Sequence, residues 1–176
     1  GDVYKRQSLD SRFASSNLPL RGAKGWNYEG GVRVPLIVHW PGRTKPNSKS
    51  HALVTGTDYY PTLLEMTGLP ALPEQHVDGV SFLPALLSKA HDRGAIYWHF
   101  PHYSNHGYQS PGGAIRLGKY KLLEYYEKGS VQLFDLEKDL GEQHDLSASK
   151  PDITAKLLKI LPVSYTHLTL PTNLSV

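Results

Sequence analysis

Gly112-Gly-Ala-Ile-Arg-Leu-Gly-Lys-Tyr-Lys-Leu-Leu-Glu-Tyr-Tyr-Glu-Lys-Gly-Ser-Val-Gln-Leu-Phe-Asp135 reads as an antiparallel meander. Its β-branched and aromatic content favours strands over Ala114–Leu117, Tyr120–Tyr126 and Val131–Asp135. Gly118 and the Lys128-Gly129 pair supply the turns between them. Downstream, Ile153, Leu157, Ile160 and Leu161 recur at helical spacing and predict an amphipathic helix that covers the sheet. Upstream, Ala95-Ile-Tyr-Trp-His-Phe100 adds a strand.

Further toward the N-terminus the pattern changes. Thr57 to Thr67 predicts a helix, with Thr57 as its cap, Pro61 near the first turn and Gly68 as its stop. Ser81 to Leu87 predicts a short helix capped by Ser81. Val34-Pro-Leu-Ile-Val-His-Trp40, closed by Pro41-Gly42, reads as a buried strand. The order is strand, helices, meander, helix. It predicts an α/β class: the end of an α/β layer (residues 8–92) followed by a small antiparallel sheet with a C-terminal helix (residues 93–162). Residues 1–7 and 163–176 read as non-native tails, because the last fourteen carry no charge and no cap logic.

Composition narrows the function classes. The chain has 176 residues, no Cys and a formal net charge of +3. A disulfide framework, a thiolate metal site and a cysteine nucleophile within the chain are excluded. No run approaches the ~18 apolar residues of a membrane span. The basic excess is too small and too interleaved with acids for a nucleic-acid binder. Tyr120, Lys121, Tyr125 and Tyr126 resemble a stacking platform, but Glu124 and Glu127 beside them favour cross-strand packing on a half-buried face.

The segment with the most chemistry is Leu20-Arg-Gly-Ala-Lys-Gly-Trp-Asn-Tyr-Glu-Gly-Gly-Val-Arg-Val-Pro35. Its glycines permit positive φ and close backbone approach, and Lys24 stands between two of them. Arg21 and Arg33 add positive charge or tie the loop to Glu29. By itself this pattern fits either an anion-binding loop or a solvated lysine on a mobile loop. It lacks the spacing of a phosphate-binding P-loop.

Leu20–Arg33, with Pro35-Leu-Ile-Val-His-Trp-Pro-Gly42, resembles the second signature of the type I sulfatases, arylsulfatase-like enzymes of the alkaline-phosphatase-like superfamily. Asp58-Tyr-Tyr-Pro-Thr-Leu-Leu-Glu65 and Asp78-Gly-Val-Ser81 are similar to stretches that follow it in that family. Leu133-Phe-Asp-Leu136 and Asp139-Leu-Gly-Glu-Gln-His-Asp-Leu146 resemble the family's late strand and its D-P-x-E-x-x-N-L turn. Leu140 replaces the usual Pro there, and Asp145 the usual Asn. The resemblance implies the C-terminal part of an alkaline-phosphatase-like sulfatase fold. It implies that Lys24 contacts the sulfate group and steadies charge as the S–O bond breaks.

The family's nucleophile is a Cys or Ser in a Cys/Ser-x-Pro-x-Arg motif, converted to formylglycine, and its calcium carboxylates lie upstream of the lysine loop. Neither motif is in this chain, and Asp10 does not match the calcium motif. Calcium and formylglycine are therefore expected on sequence outside it, with no metal ligand here. The implied location is periplasmic or secreted. A phosphatase or phosphodiesterase of the same superfamily, or an anion- or glycan-binding module, are the other readings.

Trp98-His-Phe-Pro-His-Tyr-Ser-Asn-His106 spaces three His by three and four residues. Pro101 and Asn105-His-Gly107 oppose the helix that a zinc site would need. His99 and His102 are candidates for substrate contact, donating to a sugar on which Trp98 or Tyr103 stacks. The substrate expected is a carbohydrate sulfate ester.

Overall fold

The computed structural model describes residues 16–103 and 109–162. Both proposed tails, Asp10 and His106 lie outside the described residues. The chain divides into two compact units. Of the described residues, 16–34 pack with 95–103 and 109–162, and Pro35–Gly94 form the other unit. The lysine loop belongs to the same unit as the C-terminal sheet.

The first unit contains a four-stranded antiparallel sheet of order β1-β2-β3-β4. The strands are β1 (Ile96–Phe100), β2 (Gly112–Leu117), β3 (Tyr120–Tyr125) and β4 (Ser130–Asp135). This is the expected meander with its added upstream strand. Leu117 pairs with Tyr120, so only Gly118 and Lys119 turn the chain, and Gly118 takes the positive φ of +56° that a tight hairpin needs.

Side chains alternate across the sheet, and each face has its own cover. Ile115, Leu122 and Leu133 are buried against Leu157 and Leu161 at the C-terminal helix, which spans Pro151–Ile160. Pro151 starts that helix with its φ preset and no N–H to satisfy. Each large aliphatic side chain buried in this way contributes about 1.5–3 kcal/mol. The opposite face carries Ala114, Leu123 and Phe134, packed with Tyr28 and, at its margin, Trp26 and Trp98. A short helix, α1 (Glu29–Val32), lies in the loop that covers this face. With α1 first in the chain, the C-terminal helix is α4.

The second unit is built on α2 (Tyr59–Met66) and α3 (Leu83–Leu86). A 3-10 turn over Gly56–Asp58 precedes α2. Thr57 does not cap α2. The Thr55 N–H instead donates to Asp58 Oδ2 at 2.8 Å, because the helical entry is one 3-10 turn longer than expected. Gly68 stops the helix with φ +72°. Ser81 is not the cap of α3: Phe82 holds the N-cap position with no side-chain cap bond, and the Ser81 hydroxyl accepts from the Leu83 N–H at 3.2 Å from one residue further out.

Asp58 is the hub of this unit. Fully buried, it accepts from the Thr55 and Val80 N–H groups and from Arg93 Nε at 2.7 Å. Asp58→Ala leaves those donors without an acceptor. The expected loss is about 2–3 kcal/mol, limited because Arg93 keeps its bond to the Asp78 carbonyl. Urea denaturation of the chain measures it; an unchanged midpoint would remove Asp58 as the hub.

The strand expected over Val34–Trp40 does not form. Val34 is 78% exposed and Ile37 91%. A strand needs a neighbour for its N–H and C=O groups, and no strand among the described residues pairs with this segment.

Candidate functional site

The lysine loop is held tightly by its own backbone. Gly22 and Gly25 adopt φ of +77° and +90°, which leave Ala23 and Lys24 exposed at the tip. The chain then passes beneath itself. The Gly30 N–H donates to the Arg21 carbonyl at 2.7 Å. A Cβ on Gly31 would stand 2.1 Å from the Trp26 carbonyl oxygen, and one on Gly30 2.3 Å from that of Gly22. Only glycine fits at either place. Asn17 Nδ2 donates to the Gly30 and Gly22 carbonyls, and the Asn27 N–H donates to buried Gln109 at 3.2 Å.

Charge anchors this loop to the sheet. Glu29 is 1% exposed, Lys121 0% and Glu142 0%. Lys121 Nζ lies 2.9 Å from Glu29 Oε1 and 3.1 Å from Glu142 Oε1. Arg116 reaches Glu29 Oε2 at 3.1 Å, and Arg33 approaches the same oxygen at 3.8 Å. Burial pulls the Arg116 guanidinium below its usual range, with Glu29 opposing. It pushes the Glu142 carboxyl up, with Lys121 opposing. Arg21 does not pair with Glu29. Its guanidinium lies 4.1 Å above the Tyr28 ring and donates to the Glu142 carbonyl. Tyr125 donates to the Tyr28 hydroxyl and Tyr28 to Gln132. Burial and the bond to Tyr28 hold the Tyr125 phenol above its usual range.

Reading the sequence missed Lys121, Arg116 and Glu142 as partners of the loop. For Lys121 a signal existed: it shares strand parity with Leu123 and Tyr125, so alternation points it to the covered face.

The candidate histidines lie elsewhere. Trp98 faces the lysine-loop side; His99, one residue on, projects from the other face of β1. His99 Nδ1 is 2.7 Å from the Tyr126 hydroxyl. His102 is exposed beyond the end of β1, its ring edge-on to Phe100 at 6.0 Å. Lys24 and His99 therefore belong to opposite sides of the sheet. No three His, Asp or Glu side chains among the described residues come together in a way that could hold a metal ion.

The family described as "N-sulphoglucosamine sulphohydrolase, C-terminal" matches residues 23–163. The chain belongs to the sulfatases. A sulfatase of Formosa agariphila is 40% identical over 148 residues, covering 78% of this chain and 27% of its own. Human arylsulfatase A is 32% identical over 174 residues, covering 86% of this chain and 33% of its own. The chain thus spans about a third or less of these sulfatases. The crystal structure of Ps i-CgsB in complex with k-i-k-neocarrahexaose superposes with a TM-score of 0.74 at 29% identity, covering 85% of this chain and 32% of that one. BT4656 in complex with its substrate D-glucosamine-2-N,6-O-disulfate gives 0.63 at 25%, covering 76% and 28%. The described sheet with its covering helix is thus shared with the C-terminal part of solved sulfatases.

Proposed function

We propose that the chain supplies the sulfate-contacting lysine loop and the C-terminal subdomain of an enzyme that hydrolyses sulfate esters. The observation that supports this most is the loop itself, an ordered turn that presents Lys24 at its tip inside a region matched by the sulfatase family. As the S–O bond breaks, negative charge builds on the departing oxygen, and a fixed ammonium stabilises that charge more than the ground state. A lysine is cationic at neutral pH. Lys24 would bind the sulfate oxygens and hold its charge in place while the chemistry occurs.

A carbohydrate sulfate is the substrate class we favour. The solved relatives were captured with a carrageenan oligosaccharide and with a disulfated glucosamine. His102, exposed beyond the end of β1, is the proposed contact for the non-sulfate part of the substrate; His99, on the other side of the sheet from Lys24 and bonded to Tyr126, is not. Family membership also leads us to propose calcium and a formylglycine nucleophile for the complete enzyme, together with export from the cytoplasm. The sequence holds no Cys/Ser-x-Pro-x-Arg motif, so we place the nucleophile, and with it the calcium ligands, on sequence outside this chain.

The test is an assay of two proteins against an aryl sulfate in the presence of calcium. The complete enzyme should turn over, and the 176-residue chain should not exceed the blank. Turnover by the chain alone would overturn the assignment of the nucleophile to other sequence. An inactive complete enzyme with no Cys/Ser-x-Pro-x-Arg motif would overturn the sulfatase reading.

A further inference from the structure

Glu142 lies far from the lysine loop in sequence, within the Asp139–Leu146 turn, yet it holds both ends of that loop. At the entrance, its backbone carbonyl accepts from Arg21 NH1 at 2.7 Å. At the exit, its Oε2 accepts from the Glu29 backbone N–H at 2.7 Å. Its other oxygen is 3.1 Å from Lys121 Nζ, itself bonded to the Glu29 carboxylate. Lys24 lies between the two points held, at residues 21 and 29.

The turn is shaped to deliver this residue. Glu142 has φ +51°, a left-handed conformation uncommon for a non-glycine residue and sustained only where surroundings over-determine it. Those surroundings are present. Asp139 Oδ2 accepts from the N–H groups of Gln143 and His144. Asp145 Oδ1 accepts from those of Leu133 and Ser147. The Glu142 N–H itself donates to the Asp139 carbonyl at 3.1 Å. Asp145 thus ties the turn to β4, and β4 is paired with β3, which carries Lys121.

We propose that Glu142 is a positioning residue for sulfate-ester hydrolysis, which closes the Arg21–Glu29 segment from both ends and so fixes where Lys24 stands. The proposal rests on the sulfatase reading of Lys24. Displacement by about 1 Å of a group that must meet a developing charge can lower turnover about 10²-fold.

The experiment is a double-mutant cycle in the complete enzyme, with hydrogen exchange on the 176-residue chain beside it. Glu142→Asn tolerates positive φ and keeps the carbonyl for Arg21, but its side chain is too short for the Glu29 N–H. We expect kcat for an aryl sulfate to fall about 10- to 100-fold in Glu142→Asn. Added to Lys24→Ala, the same change should cost little more, because Glu142 acts through Lys24. In the chain, the Trp26 and Asn27 amides, bonded to Ala23 and Gln109, should exchange faster in the variant. Where Glu142→Asn does not fold, Glu142→Gln, which keeps length and an acceptor, takes its place with a smaller effect of the same pattern. Equal losses with and without Lys24, or loop exchange at the wild-type rate, would overturn the positioning role. Wild-type turnover in Lys24→Ala would instead overturn the reading of Lys24, while the exchange rates would still decide whether Glu142 holds the loop.

Discussion

We expect Lys24→Ala to lower kcat of the complete enzyme toward an aryl sulfate by about 10²- to 10³-fold, the usual consequence of removing one preorganised group that faces developing negative charge, if Lys24 has the proposed role. The expected effect on folding is small. Lys24 is exposed at the tip of a loop whose hydrogen bonds are made by its backbone and by Asn17, Arg21, Asn27 and Glu29. Exposed positions of this kind cost within ±0.5 kcal/mol when changed. Large loss of turnover with unchanged denaturation is therefore the signature. Lys24→Arg retains charge but offers a planar fork in place of a compact ammonium, and it should recover only part of the rate. Wild-type turnover in Lys24→Ala would remove the residue from the site. A lowered unfolding midpoint that accounts for the lost activity would do the same.

Lys121→Met should destabilise the sheet unit by about 3–5 kcal/mol, the usual cost of removing one partner from a buried ionic cluster. That is a large part of the ~5–15 kcal/mol that holds a typical domain together. Methionine fills much of the space, so the loss is electrostatic: two buried carboxylates, Glu29 and Glu142, are left facing each other. Arg116 still reaches Glu29, whereas the Glu142 carboxylate loses the Lys121 ion pair and keeps Arg21 only at its backbone carbonyl. Adding Glu142→Gln should restore part of the loss, since the amide can donate to Glu29 and accept from its N–H.

The pH dependence has a definite sign. The Glu142 carboxyl is raised above its ordinary 4.5 by burial even with Lys121 present, and removing Lys121 raises it further. The folded variant then binds more protons than the unfolded one, so its stability falls as pH rises upward from about 4.5. Denaturation of the chain at several pH values, followed by hydrogen exchange of β2 and β3 amides, measures both effects. A midpoint within 0.5 kcal/mol of wild type would show that the cluster is not a keystone of the unit.

What could be read from the sequence followed the range of the signal. Gly118, the alternation through β2 and β3, and the 153-157-161 stripe are local patterns, and the sheet and its covering helix formed where they pointed. The short helix after Ser81 also formed, although it starts at Leu83 with Phe82, not Ser81, at its cap. Val34–Trp40 has strand composition but no pairing neighbour among the described residues, and composition does not supply one. Thr57 has the chemistry of a cap, yet the 3-10 turn moved the entry to Thr55. The buried cluster was the hardest to foresee. Glu29 and Glu142 are 113 residues apart, and no local rule pairs them. His99 shows the reverse hazard: proximity to Trp98 in sequence suggested a shared role, whereas strand alternation sends the two side chains to opposite faces.

That same separation sets an order of events at the ribosome. Residues 16–34 leave the ribosome before the groups that seat them: Lys121 on β3 follows Glu29 by 92 residues, and Glu142 in the Asp139–Leu146 turn by 113. At ~5–20 residues per second, the lysine loop waits on the order of ten seconds with Trp26 and Tyr28 uncovered. Its final shape is set only once the Asp139–Leu146 turn has been made, long after its own residues.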